Sequence, residues 1–319
     1  MIDEITETAE ESKETQVKQV WFSIIGVLII YGIILVFANS VLARIVKSDV
    51  LNNNPYLYHI NLFVILMIFF ILIVPFLFSI PEKKLSFRRY FKQIRLSNIK
   101  PIIAILGLGI ATSLVYLLFL YLSTLVSAKI LQGEFFFDLR YLWVDAGFSE
   151  YIYRALIPGI WEEVAFRGIV LVLLLKIYSE RTSIIINSVS FGLFHLINLV
   201  NMRSSPTPEV VAINVTFQVI YTTAAGFVFA YLFVKTNSLI PSILSHYLID
   251  ALGPFLQVIL FGAPISLANV AIVRTSQTIL GIGIIPSLAN VLLIFLVYKL
   301  WKKKPFLEEN NSLEKDSTL

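Results

Sequence analysis

Two adjacent carboxylates, Glu162 and Glu163, stand inside an apolar run with Arg167 close behind them. In a soluble helix such a pair is ordinary. Here the flanking stretches, Ala155 to Ile160 and Gly168 to Leu175, are hydrophobic. Ionisable groups inside a membrane are costly and face a cavity or a partner. The chain has three histidines, and two sit in other apolar runs: His195, four residues after Phe191, and His246, four before Asp250. Glutamate, histidine and aspartate on three separate segments are the ingredients of a hydrolytic site. A carboxylate in a water-filled cavity can act as general base toward water, and a histidine or a metal can stabilise the oxyanion that forms.

Composition says which elements must position these groups. Of 319 residues, 57% are hydrophobic and 14% charged, with a mean hydropathy of +0.82. This is the profile of a polytopic membrane protein. The expected fold is all-α, a helical bundle of about eight transmembrane helices with its active site within the membrane. The basic balance does not point to nucleic acid, because most Lys and Arg lie just outside apolar spans, where they orient the chain. The expected partners are membrane lipids and a membrane-associated protein or peptide substrate; oligomeric state is not legible. Cysteine is absent, so there is no disulfide framework, and any metal would need histidine and carboxylate ligands.

Taken in order, residues 1–17 read as a polar cytoplasmic tail too polar to fold alone, with no sign of a cleaved signal peptide. Apolar spans follow at about 21–42, 60–80, 101–126, 151–178, 182–200, 210–234, 239–261 and 280–300. An N-terminal transmembrane region (18–149) contains a basic loop, Lys83 to Lys100, whose interleaved apolar residues suit either a helix on an anionic leaflet or a plain cytoplasmic loop. Residues 127–149 are aromatic and read as interfacial. A core (150–253) carries all the groups named above. A C-terminal transmembrane region (254–301) and a polar cytoplasmic tail (302–319) close the chain. In the fourth span, Pro158-Gly159 predicts a kinked or restarted helix, with Glu162 near free N–H groups at its new start. Asn237-Ser238 predicts a helix cap with Pro241 in the first turn of the seventh span.

Positive charge sets the orientation. With both termini inside, the inner segments hold Lys13, Lys18, the basic residues of 83–100, Lys176, Arg181, Lys235 and Lys299 to Lys304. The outer segments hold only Arg44, Lys47, Lys129, Arg140, Arg154, Arg203 and Arg274. This is the alternation expected of a protein in the plasma membrane of a bacterium, both termini cytoplasmic. Helical rise then places Glu162 roughly 24 Å, Arg167 roughly 16 Å, His195 roughly 20 Å, His246 roughly 11 Å and Asp250 roughly 17 Å from the inner face. These depths agree within the error of the boundaries.

Spacing sharpens the picture. His246 and Asp250 share a helix face, as do Phe191 and His195, and Glu163 and Arg167 stand in the favourable order for an ion pair. Each has a plainer reading: a buried pair for Glu163 and Arg167, a hydrogen-bonded core residue for His195, a packing clasp for His246 and Asp250. Three unrelated clasps at matching depth are less economical than one shared site.

Glu162-Glu163-x-x-x-Arg167, Phe191-x-x-x-His195 and His246-x-x-x-Asp250, in that order on separate spans, resemble the CAAX protease and bacteriocin-processing (CPBP) family of intramembrane proteases. This family is also called Abi or type II CAAX prenyl endopeptidase. Lys235-Thr-Asn-Ser-Leu-Ile-Pro241 is similar to the family as well, and the likeness runs from near Tyr151 to near Leu252. The resemblance implies an endopeptidase in which Glu162 activates water. His195, His246 and Asp250 would line the site, and Glu163, Arg167 and Phe191 would support it. One position departs from the pattern: eukaryotic members that trim prenylated proteins typically carry asparagine where this chain has Asp250. Family members are described with and without a metal. His195, His246 and a carboxylate would form a two-nitrogen, one-oxygen zinc set, favoured here over a metal-free glutamate mechanism. Against it, no His-Glu-x-x-His pair fixes two ligands on one helix. A proton-coupled transporter or a non-catalytic scaffold or immunity-type membrane protein are the alternatives. The repeated halves common in transporters are not found.

Overall fold

The computed structural model describes residues 2–38, 56–77, 87–132, 148–204, 208–261 and 285–301. The expectations placed on Arg44, Lys47, Lys83, Arg140, Arg274, most of 127–149 and the tail 302–319 lie outside these residues. The described chain is helical throughout its regular elements: α1 (Ile2–Phe37), α2 (Tyr56–Met67) continuing through a π-helical stretch (Ile68–Ile73) into α3 (Val74–Leu77), α4 (Phe87–Gln93), α5 (Ile102–Gln132) and α6 (Phe148–Leu156). Two π-helical stretches (Ile157–Glu162 and Val164–Leu171) lead into α7 (Val172–Leu174). Then come α8 (Glu180–Phe194), a 3-10 helix (His195–Ser204), α9 (Pro208–Thr236), α10 (Ile240–Phe261) and α11 (Ile285–Trp301).

The chain is an all-α integral membrane protein. Among the described residues, Lys13–Phe37, Ile102–Leu122, Glu180–Val200 and Val215–Thr236 are long and apolar enough to cross a membrane, and Tyr58–Ile73 is a shorter apolar helix. Large apolar side chains such as Phe22, Ile103 and Leu114 point outward, an arrangement that needs lipid rather than water around it. The count of about eight spans is not reached among the described residues. The fourth expected span is instead a chain of short α and π pieces.

Two local expectations change. Residues 2–17 of the polar segment run into the first span as one helix, α1. The segment contains no proline or glycine to stop a helix, and Glu14 and Lys18 pair at 2.7 Å one turn apart, which supports an exposed helix. Pro158-Gly159 does not restart the fourth helix either. Leu156 and Glu163 keep right-handed helical dihedrals on both sides of the π-helical stretch, so Glu162 does not sit at a free helix N-terminus. A proline lacks the N–H that a regular α ladder needs, and the wider i→i+5 turn lets the helix run past the gap.

The cap before α10 stands as expected. Ser238 Oγ accepts from the Ile240 N–H at 3.4 Å, and Pro241 lies in the first turn of α10. Asn237 takes the left-handed conformation (φ 52°), one that asparagine tolerates better than most residues after a helix end. The ends that charge assigns to one side also lie together. Leu239 N donates to Arg95 O at 3.1 Å, Asn98 Nδ2 to Asn237 O at 2.9 Å, Lys235 pairs with Glu180 at 2.6 Å, and Trp21 Nε1 donates to Tyr178 at 3.1 Å.

Small polar side chains set the rotation of α10, as is common where helices meet in a membrane. Ser245 Oγ donates to Gly109 O of α5 at 2.9 Å, and Ser242 Oγ to Phe229 O of α9 at 3.0 Å. Gly159 closes the remaining side. A Cβ there would come within 2.8 Å of Tyr247 Cα and Cβ, so only glycine lets the π-helical stretch lie against the α10 backbone. The residues on either side of these contacts, Glu162 and His246, are thereby brought to one place.

Candidate active site

Inside the bundle a cavity of about 540 Å³ is lined by Glu162, His195, His246 and Asp250 together with Phe191 and Phe229. The chain thus brings to one cavity the glutamate, both histidines and the aspartate singled out by type and spacing. Glu163 and Arg167 do not line it. They are fully buried, Glu163 between the two π-helical stretches and Arg167 in the second.

Glu163 is the hub of that buried layer. Its Oε1 accepts from Arg167 Nη1 at 2.9 Å and lies 2.7 Å from His246 Nδ1. The pairing with Arg167 was legible at four-residue spacing; the bond to His246 was not. Arg167 also donates through Nη2 to the Gly226 carbonyl at 3.2 Å. Its guanidinium carbon lies 4.3 Å from the centre of the Phe191 ring and 5.3 Å from that of Phe229. A buried cation held by a carboxylate, a carbonyl and two aromatic rings is well compensated for its loss of water.

His246 is held on all sides. Nδ1 faces Glu163, Nε2 lies 3.5 Å from Asp250 Oδ2, and the ring stacks on Phe229 at 4.9 Å and 19°. The edge of Phe191 meets it at 6.0 Å. His195 is held differently. Helix α8 ends at Phe194, and the chain tightens to 3-10 geometry at His195 itself, where a continuous span was expected. Nδ1 lies 2.9 Å from the Phe191 carbonyl. A carbonyl only accepts, so Nδ1 carries the hydrogen of this bond, and Nε2 is the ring nitrogen it leaves uncommitted. Phe191 therefore supports the site through its carbonyl toward His195 and its ring toward His195, His246 and Arg167.

The expected zinc set is not assembled. His246 Nε2 and Asp250 Oδ2 stand side by side, but among the described residues no three His, Asp or Glu side chains converge as metal ligands. His195, expected as the second nitrogen ligand, does not join them. The donors present do not fit a resident zinc, whose catalytic sites use three protein ligands.

Several contributors escaped the sequence reading. Asn187, fully buried on α8, donates to the Phe166 carbonyl at 2.7 Å inside the second π-helical stretch; an asparagine in an apolar helix was the available signal. Asn198 and Gln218 line the cavity as a pair bonded at 2.9 Å. Arg154, Tyr116 and Tyr221 also line it, and nothing in their spacing marks them.

Residues 142–252 match a family model described as type II CAAX prenyl endopeptidase Rce1-like. No curated protein and no solved structure matches the chain. The matched segment contains Glu162, His195, His246 and Asp250, and leaves α1 to α5 and α11 outside it.

Proposed function

We propose that this chain, whose residues 142–252 match the type II CAAX prenyl endopeptidase Rce1-like family model, is an intramembrane protease that hydrolyses a peptide bond of a membrane-associated protein or peptide, with Glu162 as the base. The observation that carries the reading is the cavity that Glu162, His195, His246 and Asp250 line together. The Glu162 carboxylate takes a proton from water, and the oxygen of that water attacks the scissile carbonyl carbon. His195, its Nδ1 bonded to the Phe191 carbonyl, accepts the second hydrogen of the water through Nε2 and aligns it.

His246 is the oxyanion donor. With a carboxylate facing each nitrogen, the ring satisfies both with a hydrogen on each. Its Nε2–H is held to Asp250 only by a long contact, 3.5 Å, and turns to the developing oxyanion, where a preoriented donor is worth most. Collapse of the tetrahedral intermediate breaks the C–N bond, and the proton held by Glu162 passes to the leaving nitrogen. Glu163 and Arg167 keep His246 in place. The alternation of positive charge supports a plasma-membrane protein with both termini cytoplasmic, cleaving substrates that enter from the bilayer.

The test is cleavage of a membrane-anchored peptide library by the purified chain in liposomes. The proposal expects new peptide termini carrying one solvent oxygen when the reaction is run in ¹⁸O-labelled water. Passage of a solute or protons without any cleavage would instead identify a transporter.

A further inference from the structure

A neutral polar pair shares the cavity wall with the ionisable groups. Asn198 Nδ2 donates to Gln218 Oε1 at 2.9 Å, and both side chains line the same cavity as Glu162 and His195. Asn198 follows His195 by three residues within the 3-10 helix His195–Ser204. Residues three apart in such a helix eclipse one another, so Asn198 stands on the His195 face, displaced by about 6 Å along the axis. Gln218 comes from α9, where Tyr221 and Thr222 also line the cavity; three and four residues on, they share its face. The bond between the two amides leaves chemistry over. Gln218 keeps its N–H donors, and Asn198 keeps its carbonyl oxygen as an acceptor. A clasp between two helices would need neither group on the cavity wall.

A donor and an acceptor side by side match the two polar groups of one residue in an extended peptide. In a β ladder the N–H and C=O of one residue are satisfied together by one partner residue. We propose that Asn198 and Gln218 form a main-chain subsite, in which Asn198 Oδ1 accepts a substrate N–H and Gln218 Nε2 donates to the C=O of the same residue. The offset from His195 sets the register. An extended chain advances about 3.3 Å per residue, so a displacement of about 6 Å along the 3-10 helix spans two residues, and residues two apart present the same side. The ligand class follows: a stretch of main chain already unwound, because the N–H and C=O groups of a helix are bonded within it. The register rests on the peptidase reading above; the recognition of extended main chain does not.

The probe is the member of the membrane-anchored peptide library that the Glu162→Gln chain binds tightest in liposomes, resynthesised with one amide at a time replaced by an ester. Each ester keeps the chain length and removes one N–H. The proposal expects one ester form to bind roughly 10-fold more weakly, the loss of one hydrogen bond, at a residue two away from the bond that the parent chain cleaves. Asn198→Leu, added to the Glu162→Gln chain, should bind that ester and the amide alike, and Gln218→Met, which leaves Asn198 unheld, should shrink the difference. The ratio of ester to amide is read within one preparation, so a lower yield of folded protein does not move it. Equal binding of every ester form, a penalty that persists in Asn198→Leu, or no bound library member overturns the subsite. A penalty at another residue overturns the register. A penalty removed by Asn198→Leu, in a parent chain that cleaves nothing, upholds the subsite and removes only the peptidase reading.

Discussion

Glu163 Oε1 lies 2.7 Å from His246 Nδ1, although the two residues are 83 positions apart in the chain. That oxygen also receives Arg167 at 2.9 Å, so one buried carboxylate atom joins the π-helical segment to α10 and compensates two potential cations. Glu163→Gln should therefore act first on folding. Removing one partner of a buried charge pair destabilises by about 3–5 kcal/mol, read as a lower melting temperature and lower yield. A variant as stable as the parent would show that the pair is dispensable.

The close approach of Gly159 to Tyr247 gives a second test. Gly159→Ala would place a methyl 2.8 Å from backbone and Cβ atoms of Tyr247, forcing α10 and His246 away from Glu162. Activity should fall by at least an order of magnitude, a misplacement effect. Gly107→Ala, where a Cβ meets nothing within 4 Å, should be neutral or slightly stabilising, as alanine for glycine within a helix is. Equal activity in both variants would remove the argument from close packing.

Metal dependence separates two chemistries. With no converging set of three ligands among the described residues, chelator-treated protein should keep its activity and contain no stoichiometric zinc by elemental analysis. Loss of activity on chelation, restored by zinc and accompanied by loss of metal in both His195→Ala and His246→Ala, would overturn the metal-free mechanism.

Topology is tested from one side. The loop after α4 is bonded to the α9–α10 turn, and the positive-charge alternation predicts both to be inside. A cysteine introduced at Gln93 should react with a membrane-impermeant reagent only after the cells are opened. Labelling in intact cells would reverse the orientation.

How much of this could be read from the sequence divides along physical lines. Relations within one helix were legible: Glu163 with Arg167, His246 with Asp250, the Ser238 cap. They depend on spacing alone. Relations between helices were not. The bond from Glu163 to His246 and the seat of Gly159 on Tyr247 depend on which faces meet, and in a membrane the usual guide to faces is weak because lipid and core are both apolar. The π-helical widening at Pro158 was foreseen only as an interruption. Proline removes a donor in either case, and the packing against α10, not the residue itself, accompanies a widened turn in place of a break. The zinc set turns on a relation between helices as well. Matching depth says nothing of convergence, and among the described residues no three such side chains converge.

The most direct measurement sets the two adjacent acids against each other. Glu162 lines the cavity while Glu163 lies buried behind it, so Glu162→Gln should abolish cleavage in a protein that folds and melts like the parent, the amide keeping size but losing basicity. Parent-level turnover by folded Glu162→Gln would contradict the assignment of Glu162 as the base.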